Sequence, residues 1–224
     1  MLWLEAAQPA PRRFESPARL KFRRTAGPRG EDGRVLIING HPDPRPERFC
    51  AALCGACLDG VRAQGRQADT IALGALPAGN AFDGEQGSAQ WARAFDLVRR
   101  SSHLTVVFPL WLDKPPPLLV NFFEQAAEKD ARDRRTGVAR RSAHLVVTMA
   151  MPAFAHRSIL RTRLSASSPE SLISLPGVEA DELSLVGSVD AISQIQRQEW
   201  LDRIGRVAVH GTRKAVNRAD EGPR

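Results

Sequence analysis

The chain has 224 residues, 42% hydrophobic and 25% charged, enough for one globular domain with tails and without an apolar run long enough to cross a bilayer. Its formal charge of +7 and pI near 10.3 attract anions such as nucleotides, phospholipid headgroups or nucleic acid. The arginines are scattered over both ends and one central loop, so dedicated nucleic-acid binding is not expected. Three cysteines within eight residues exclude a disulfide framework. The start, M-L-W-L-E, has an acid in a short apolar run and no basic lead, so no secretory signal is expected and cytoplasm is the default.

Residues 1–33 are rich in Pro, Arg and Gly without periodicity and are expected to be a disordered basic extension ending in the turn Gly30 to Gly33. A domain over 34–210 follows. Arg34-V-L-I-I-N-G is a β-branched run of the kind a parallel strand buried on both faces shows. Gly40 to Arg48, with three prolines, must be a loop, and Phe49, Leu53, Ala56 or Cys57 and Val61 recur at helical spacing through about Gln64. Pro46 is expected at that helix's start, with Glu47 in its first turn. Gln67 to Leu73 reads as a second strand, and Ser88 is expected to cap a helix running to Arg100 with Trp91, Phe95 and Val98 on one face.

The third strand, Leu104 to Phe108, stops at Pro109, which has no N–H to give a ladder. A rim loop carrying Trp111 leads from there to a helix from about Pro116 to Glu128. The fourth strand is expected over His144 to Met149, followed by the apolar loop M-A-M-P-A-F-A-H-R, and the fifth over Asp181 to Val186. Ser193 to His210 is a last amphipathic helix, and 211–224 a polar tail. Alternating strands and helices imply an α/β, doubly wound, five-stranded parallel sheet. The first turn, G-H-P-D-P-R-P-E, lacks the G-x-G-x-x-G spacing, which favours the flavodoxin-like order 2-1-3-4-5 over the dinucleotide-binding one. That order puts the loops after strands 1, 3 and 4 side by side at the sheet's carboxyl edge.

Those loops carry a resemblance. Gly-His-Pro after strand 1, Phe-Pro-Leu-Trp after strand 3 with Phe-x-Glu-Gln behind it, and Thr-Met-x-Met-Pro-Ala after strand 4 resemble the NAD(P)H:quinone oxidoreductases. That group includes the drug-activity modulators and the potassium-efflux ancillary reductases. The resemblance implies an enzyme, a homodimer, that binds FMN or FAD and passes hydride from NAD(P)H through the flavin to a quinone-like acceptor. It implies a phosphate held by His41, Arg45 and Arg48 at the helix start, where free N–H groups and the dipole favour an anion. It implies Pro109, Leu110, Trp111 and Leu112 along the ring, with the N–H groups of Leu110, Trp111 and Leu112 at its edge. Thr148, Met149, Ala150 and Met151 are implied beside the isoalloxazine. His156 is implied as the residue that hydrogen-bonds the acceptor or nicotinamide, with Arg157 a second phosphate candidate.

The chain departs from the family at several places. Arg45 and Pro46 replace a small hydroxyl residue, Asp113 and Ala150 each replace a glycine, and Pro115 to Pro117 stiffen the rim loop. A carboxylate at Asp113 lowers the potential of a flavin that becomes anionic on reduction, and an inward Lys114 offsets it. Asp113, Ala150 and the proline run support a second reading, a degenerate regulatory or interaction subunit of the same fold that binds flavin weakly or not at all. Cys50, Cys54 and Cys57 have the spacing of the iron–sulfur motif of radical S-adenosylmethionine enzymes. The same spacing sets all three on the helix's apolar face, and Ala56 stands where that motif has an aromatic residue, so core thiols are expected and no metal.

Overall fold

Five buried residues in a row, Val35 to Ile38 and Asn39, show why the first long strand lies in the middle of the molecule: β-branched side chains on both faces need cover on both sides. The computed structural model describes residues 20–21, 34–77, 85–111, 114–132, 141–150 and 178–217. Its strands are β1 (Leu20–Lys21), β2 (Val35–Asn39), β3 (Ala68–Ala72), β4 (His103–Pro109), β5 (Arg141–Thr148) and β6 (Val178–Val186). The helices are α1 (Phe49–Arg62), α2 (Glu85–Arg100), α3 (Pro117–Arg132) and α4 (Gln194–Asn217).

The sheet order is β1-β6-β5-β4-β2-β3. The five strands from β2 to β6 are all parallel, so in chain order they run 2-1-3-4-5, as the loop chemistry required. β1 is an addition at the edge, pairing antiparallel with β6 through Leu20 and Leu183 and through Lys21 and Glu182. It falls within the stretch expected to be disordered.

Alternation along the central strands feeds two cores. Leu36, Ile38, Leu104, Val106, Phe108 and Leu145 face α2 and α3, where Trp91, Phe95, Leu119 and Phe122 meet them. Val35, Ile37, Val107, Val146 and Val186 face α1 and α4, against Leu53, Cys57, Val61, Trp200 and Ile204. The two helices on that second face cross at glycines. A Cβ on Gly60 would lie 2.2 Å from the Gly205 carbonyl oxygen, so the backbones touch directly.

Several boundaries differ from expectation for local reasons. Helix α1 starts at Phe49 with extended Arg48 as its N-cap, and its first turn holds no acid; Pro46 and Glu47 form a turn before it. Helix α2 starts at Glu85, so Ser88 lies inside it and is not its cap. Strand β4 includes Pro109, and pairing continues one rung past it, because the Leu110 N–H reaches the Thr148 carbonyl at 2.7 Å. Strand β6 begins at Val178, three residues before the expected start, and α4 runs to Asn217 through what was expected as tail. The loop expected after the fourth strand lies, past Ala150, outside the described residues.

Candidate functional site

Strands β2, β4 and β5 are neighbours in mid-sheet, so the segments leaving their carboxyl ends converge. Asparagine at the end of β2 starts the first of them. Asn39 Oδ1 accepts the His41 N–H at 3.0 Å, and His41 Nδ1 accepts the Asp43 N–H at 2.9 Å, two successive side-chain-to-backbone closures that curl the loop. Because Nδ1 is an acceptor here, the ring proton of neutral His41 sits on Nε2. Burial first, and then the Arg48 charge, hold His41 below its ordinary pKa, so it is neutral at pH 7.

Glycines let this loop pack. A Cβ on Gly40 would come within 3.0 Å of the Leu119 side chain, and one on Gly74 would lie 2.2 Å from the Pro42 carbonyl oxygen. The segment after β3 therefore presses directly on the His41–Pro42 backbone. No substitute larger than glycine fits at 74 without moving the loop.

Arg45 and Arg48 both close on Asp43. The Arg45 Nε donates to both Asp43 oxygens at 3.0 Å and one of its terminal nitrogens donates to Oδ2 at 2.7 Å. Arg48 adds its Nε at 2.7 Å and a terminal nitrogen at 2.5 Å, both to Oδ2. Arg45 foremost, then Arg48, keep the Asp43 carboxyl far below the usual carboxylate range. Asp43 was absent from the residues singled out in the sequence, although its place two before Arg45 and five before Arg48 in one short loop was a usable signal. Helix α1 receives no side-chain cap from Arg48.

The second wall comes from the end of β4. The Trp111 ring is 49% exposed and stands edge-on to His41, with centroids 5.9 Å apart and planes at 85°. The structure thus brings His41 and Trp111 together at the same sheet edge. Trp111 is fixed by two backbone bonds with Lys114, its N–H donating at 3.0 Å and its carbonyl accepting at 2.9 Å. Together with the Leu110 bond to Thr148, this changes one expectation. The N–H groups of Leu110 and Trp111, expected along a ring edge, are spent within the chain because local pairing reaches them first. Leu110 itself is buried and serves as floor.

The third segment leaves β5. Thr148 and Met149 are buried, Ala150 is exposed, and the Met149 N–H is taken by the Val186 carbonyl at 2.9 Å. Thr148 Oγ1 lies 3.5 Å from Cys50 Sγ at the start of α1, tying the first and third segments together. Leu112, Met151, His156 and Arg157 lie outside the described residues. The cysteines sit as the apolar stripe required: Cys50 and Cys57 are core, Cys54 packs beside them, and burial pushes the Cys57 thiol up to about 12.

The site's chemistry is that of a turn whose two arginines close on one carboxylate, at a helix start beside a flat aromatic ledge, where strand order reverses between β2 and β4. Fold and position define a doubly wound α/β protein with a topological switch point between β2 and β4, the place where ligands bind in such sheets. The sequence profile of the flavodoxin-like fold family matches residues 33–167, more than half of the chain, and the chain belongs to that family. Solved structures agree on the fold. It superposes on an NAD(P)H:quinone oxidoreductase from Methanothermobacter marburgensis at TM-score 0.56 and 14% identity, covering 79% of this chain and 94% of that one. An NADH:FMN oxidoreductase in its apo form gives 0.55 and 17%, with 81% and 89% covered. An FMN-dependent NADH-azoreductase from Bacillus anthracis str. Ames Ancestor gives 0.54 and 11%, with 79% and 98% covered. Among curated proteins, no sequence matches the chain significantly.

Proposed function

We propose that the protein is an NAD(P)H-dependent flavin oxidoreductase that reduces quinones or similar acceptors. The observation that carries this reading is the juxtaposition of His41 and Trp111 at the carboxyl edge of β2 and β4, an anion-suited turn beside an indole ledge. The fold neighbours named as quinone oxidoreductase, FMN oxidoreductase and azoreductase support it by analogy.

The donor set fits a phosphorylated flavin at its phosphate end. The Nε2–H of His41, the guanidiniums of Arg45 and Arg48 and the uncapped start of α1 are the groups that would hold the phosphate, whether the cofactor is FMN or FAD. Trp111 would flank the ring, over a floor of Pro109, Leu110, Thr148 and Met149. A bound flavin supplies the two-electron hydride chemistry; the protein's part is orientation and electrostatics. Neutral His41 can donate one hydrogen bond and brings no charge of its own near neutral pH. The Leu112 N–H is assigned to the ring edge named for Leu110 and Trp111, Ala150 and Met151 to a place beside the isoalloxazine and His156 to the acceptor or nicotinamide, in a homodimer, on the family resemblance alone.

A visible absorbance spectrum of the purified protein, mass spectrometry of any released chromophore and an NADPH–quinone turnover assay test the reading. The expected result is a yellow protein, or a colourless one that takes up added flavin, with turnover in both cases. Two observations favour the second reading, a regulatory subunit of the same fold: Asp43 holds both arginines, and the Leu110 and Trp111 N–H groups are spent. A protein that takes up neither FMN nor FAD would establish that reading in place of the first.

A further inference from the structure

We propose that Asp43 is a resident anion in the phosphate site, so that phosphorylated ligand binds by exchanging its phosphate for the Asp43 carboxylate on Arg45 and Arg48. The inference rests on the flavin reading above and goes past it, because it concerns a residue of this chain that stands against the ligand.

Three features support it. The first is stoichiometry: among the described residues, the hydrogen bonds of the Arg45 and Arg48 guanidiniums end on the one Asp43 carboxylate, and Oδ2 takes donors from both. A carboxylate clasped by two guanidiniums occupies them as a phosphate's oxygens would. The second is charge. Between Asp43 and Arg48 the loop holds Asp43 and Glu47 against Arg45 and Arg48, so it carries no net charge while all four are ionised. The turn that chemistry marks as anion-binding is neutralised from within. The third is exposure: the side chains are 25% exposed at Asp43, 65% at Arg45 and 45% at Arg48. Pairs this open to water are held weakly and screened by salt, so exchange is accessible and the arginines need not be rebuilt for it.

Asparagine at 43 separates competition from scaffolding. Its Oδ1 can still accept the Arg45 N–H, now bonded at 3.2 Å, and its own N–H can still reach His41 Nδ1, so the turn is kept while the charge is removed. Fluorescence-quenching titrations of FMN and riboflavin against full-length wild type, Asp43→Asn and Asp43→Ala decide the matter. Riboflavin shares the ring and lacks the phosphate. Asp43→Asn is expected to bind FMN on the order of fivefold tighter than wild type, the low end for coupling between groups because both arginines are exposed and Asp43 is only partly buried. Riboflavin affinity is expected to stay unchanged, and the salt dependence of FMN binding to steepen. Equal FMN affinity in wild type and both variants overturns the proposal and leaves the flavin reading standing. Weaker FMN binding in the variants also overturns it, since Asp43 would then be arranging the arginines for the phosphate. Binding of neither flavin by any of the three proteins overturns the proposal and the flavin reading together.

Discussion

His103 is the buried residue whose ionisation the fold opposes most plainly. It opens β4, is 2% exposed, and burial first, with the charges of His144 and Arg66 behind it, lowers its pKa from 6.5 to about 3. The folded protein therefore keeps this imidazole neutral at a pH where the unfolded chain protonates it. Between about 6.5 and about 3 the unfolded state binds more protons, so stability falls as the pH falls through that window and is fully present above it. The slope from one such group approaches about 1 kcal/mol per pH unit. Urea melts of wild type and His103→Gln at about pH 7, 6 and 5, the first above the window and the other two inside it, check this. The expected outcome is a shallower decline in the variant, whatever its stability at pH 7. Parallel declines would show that the acid sensitivity arises elsewhere. A histidine in a β-branched run was legible in the sequence; its burial was not, because burial depends on α1 and α4 closing over that face.

At the scale of elements, the strands were legible and the contacts between helices were not. Runs such as V-L-I-I-N and L-T-V-V-F announce themselves by composition, and the prolines around them mark loops, so strand order could be argued from the loop chemistry alone. Helix starts were less secure. Ser88 looks like a cap, but Glu85 and Gln86, good helix formers, precede it with Gly87 between, and α2 begins earlier, at Glu85. The clasp on Asp43 was missed because charge alone suggested two free arginines, and pairing within a loop is a matter of three-dimensional reach. The crossing of α1 and α4 left no sequence signal at all, since Gly60 and Gly205 are remote in the chain and each reads as a mild helix defect. Their contact yields a prediction. Gly60→Ala puts a methyl 2.2 Å from the Gly205 carbonyl oxygen, which forces the helices apart over the core of Leu53, Cys57, Trp200 and Ile204. Alanine favours the helix by about 1 kcal/mol, and overpacking of this kind costs about 1–3 kcal/mol. Denaturant melts should show a net loss. For contrast, Gly55→Ala meets nothing within 4 Å and should be neutral or stabilising. A gain at both positions would mean the helix interface yields without strain.

For the molecule as a whole, what matters is where the site sits relative to the sheet's edges. The strands that supply it, β2, β4 and β5, are internal, each paired on both sides, while β1 and β3 take the edges. An internal strand is held by two ladders and by helices on both faces, so the carboxyl edge where His41 and Trp111 meet is set by the most redundantly supported part of the fold. β1 contributes only two paired positions, Leu20 with Leu183 and Lys21 with Glu182, on the far side of β6 from the site. No helix among the described residues is long and apolar enough to cross a membrane. A chain starting at Arg34 should therefore unfold cooperatively, with a Tm within about 4 °C of the full chain, the shift expected for about 1 kcal/mol in a domain of this size. Its FMN affinity should match that of the full chain. Circular dichroism melts and flavin titrations of the two proteins side by side check both parts. A large loss of affinity at unchanged Tm would show that residues before Arg34 reach the site, and the mid-sheet account of its architecture would then fail.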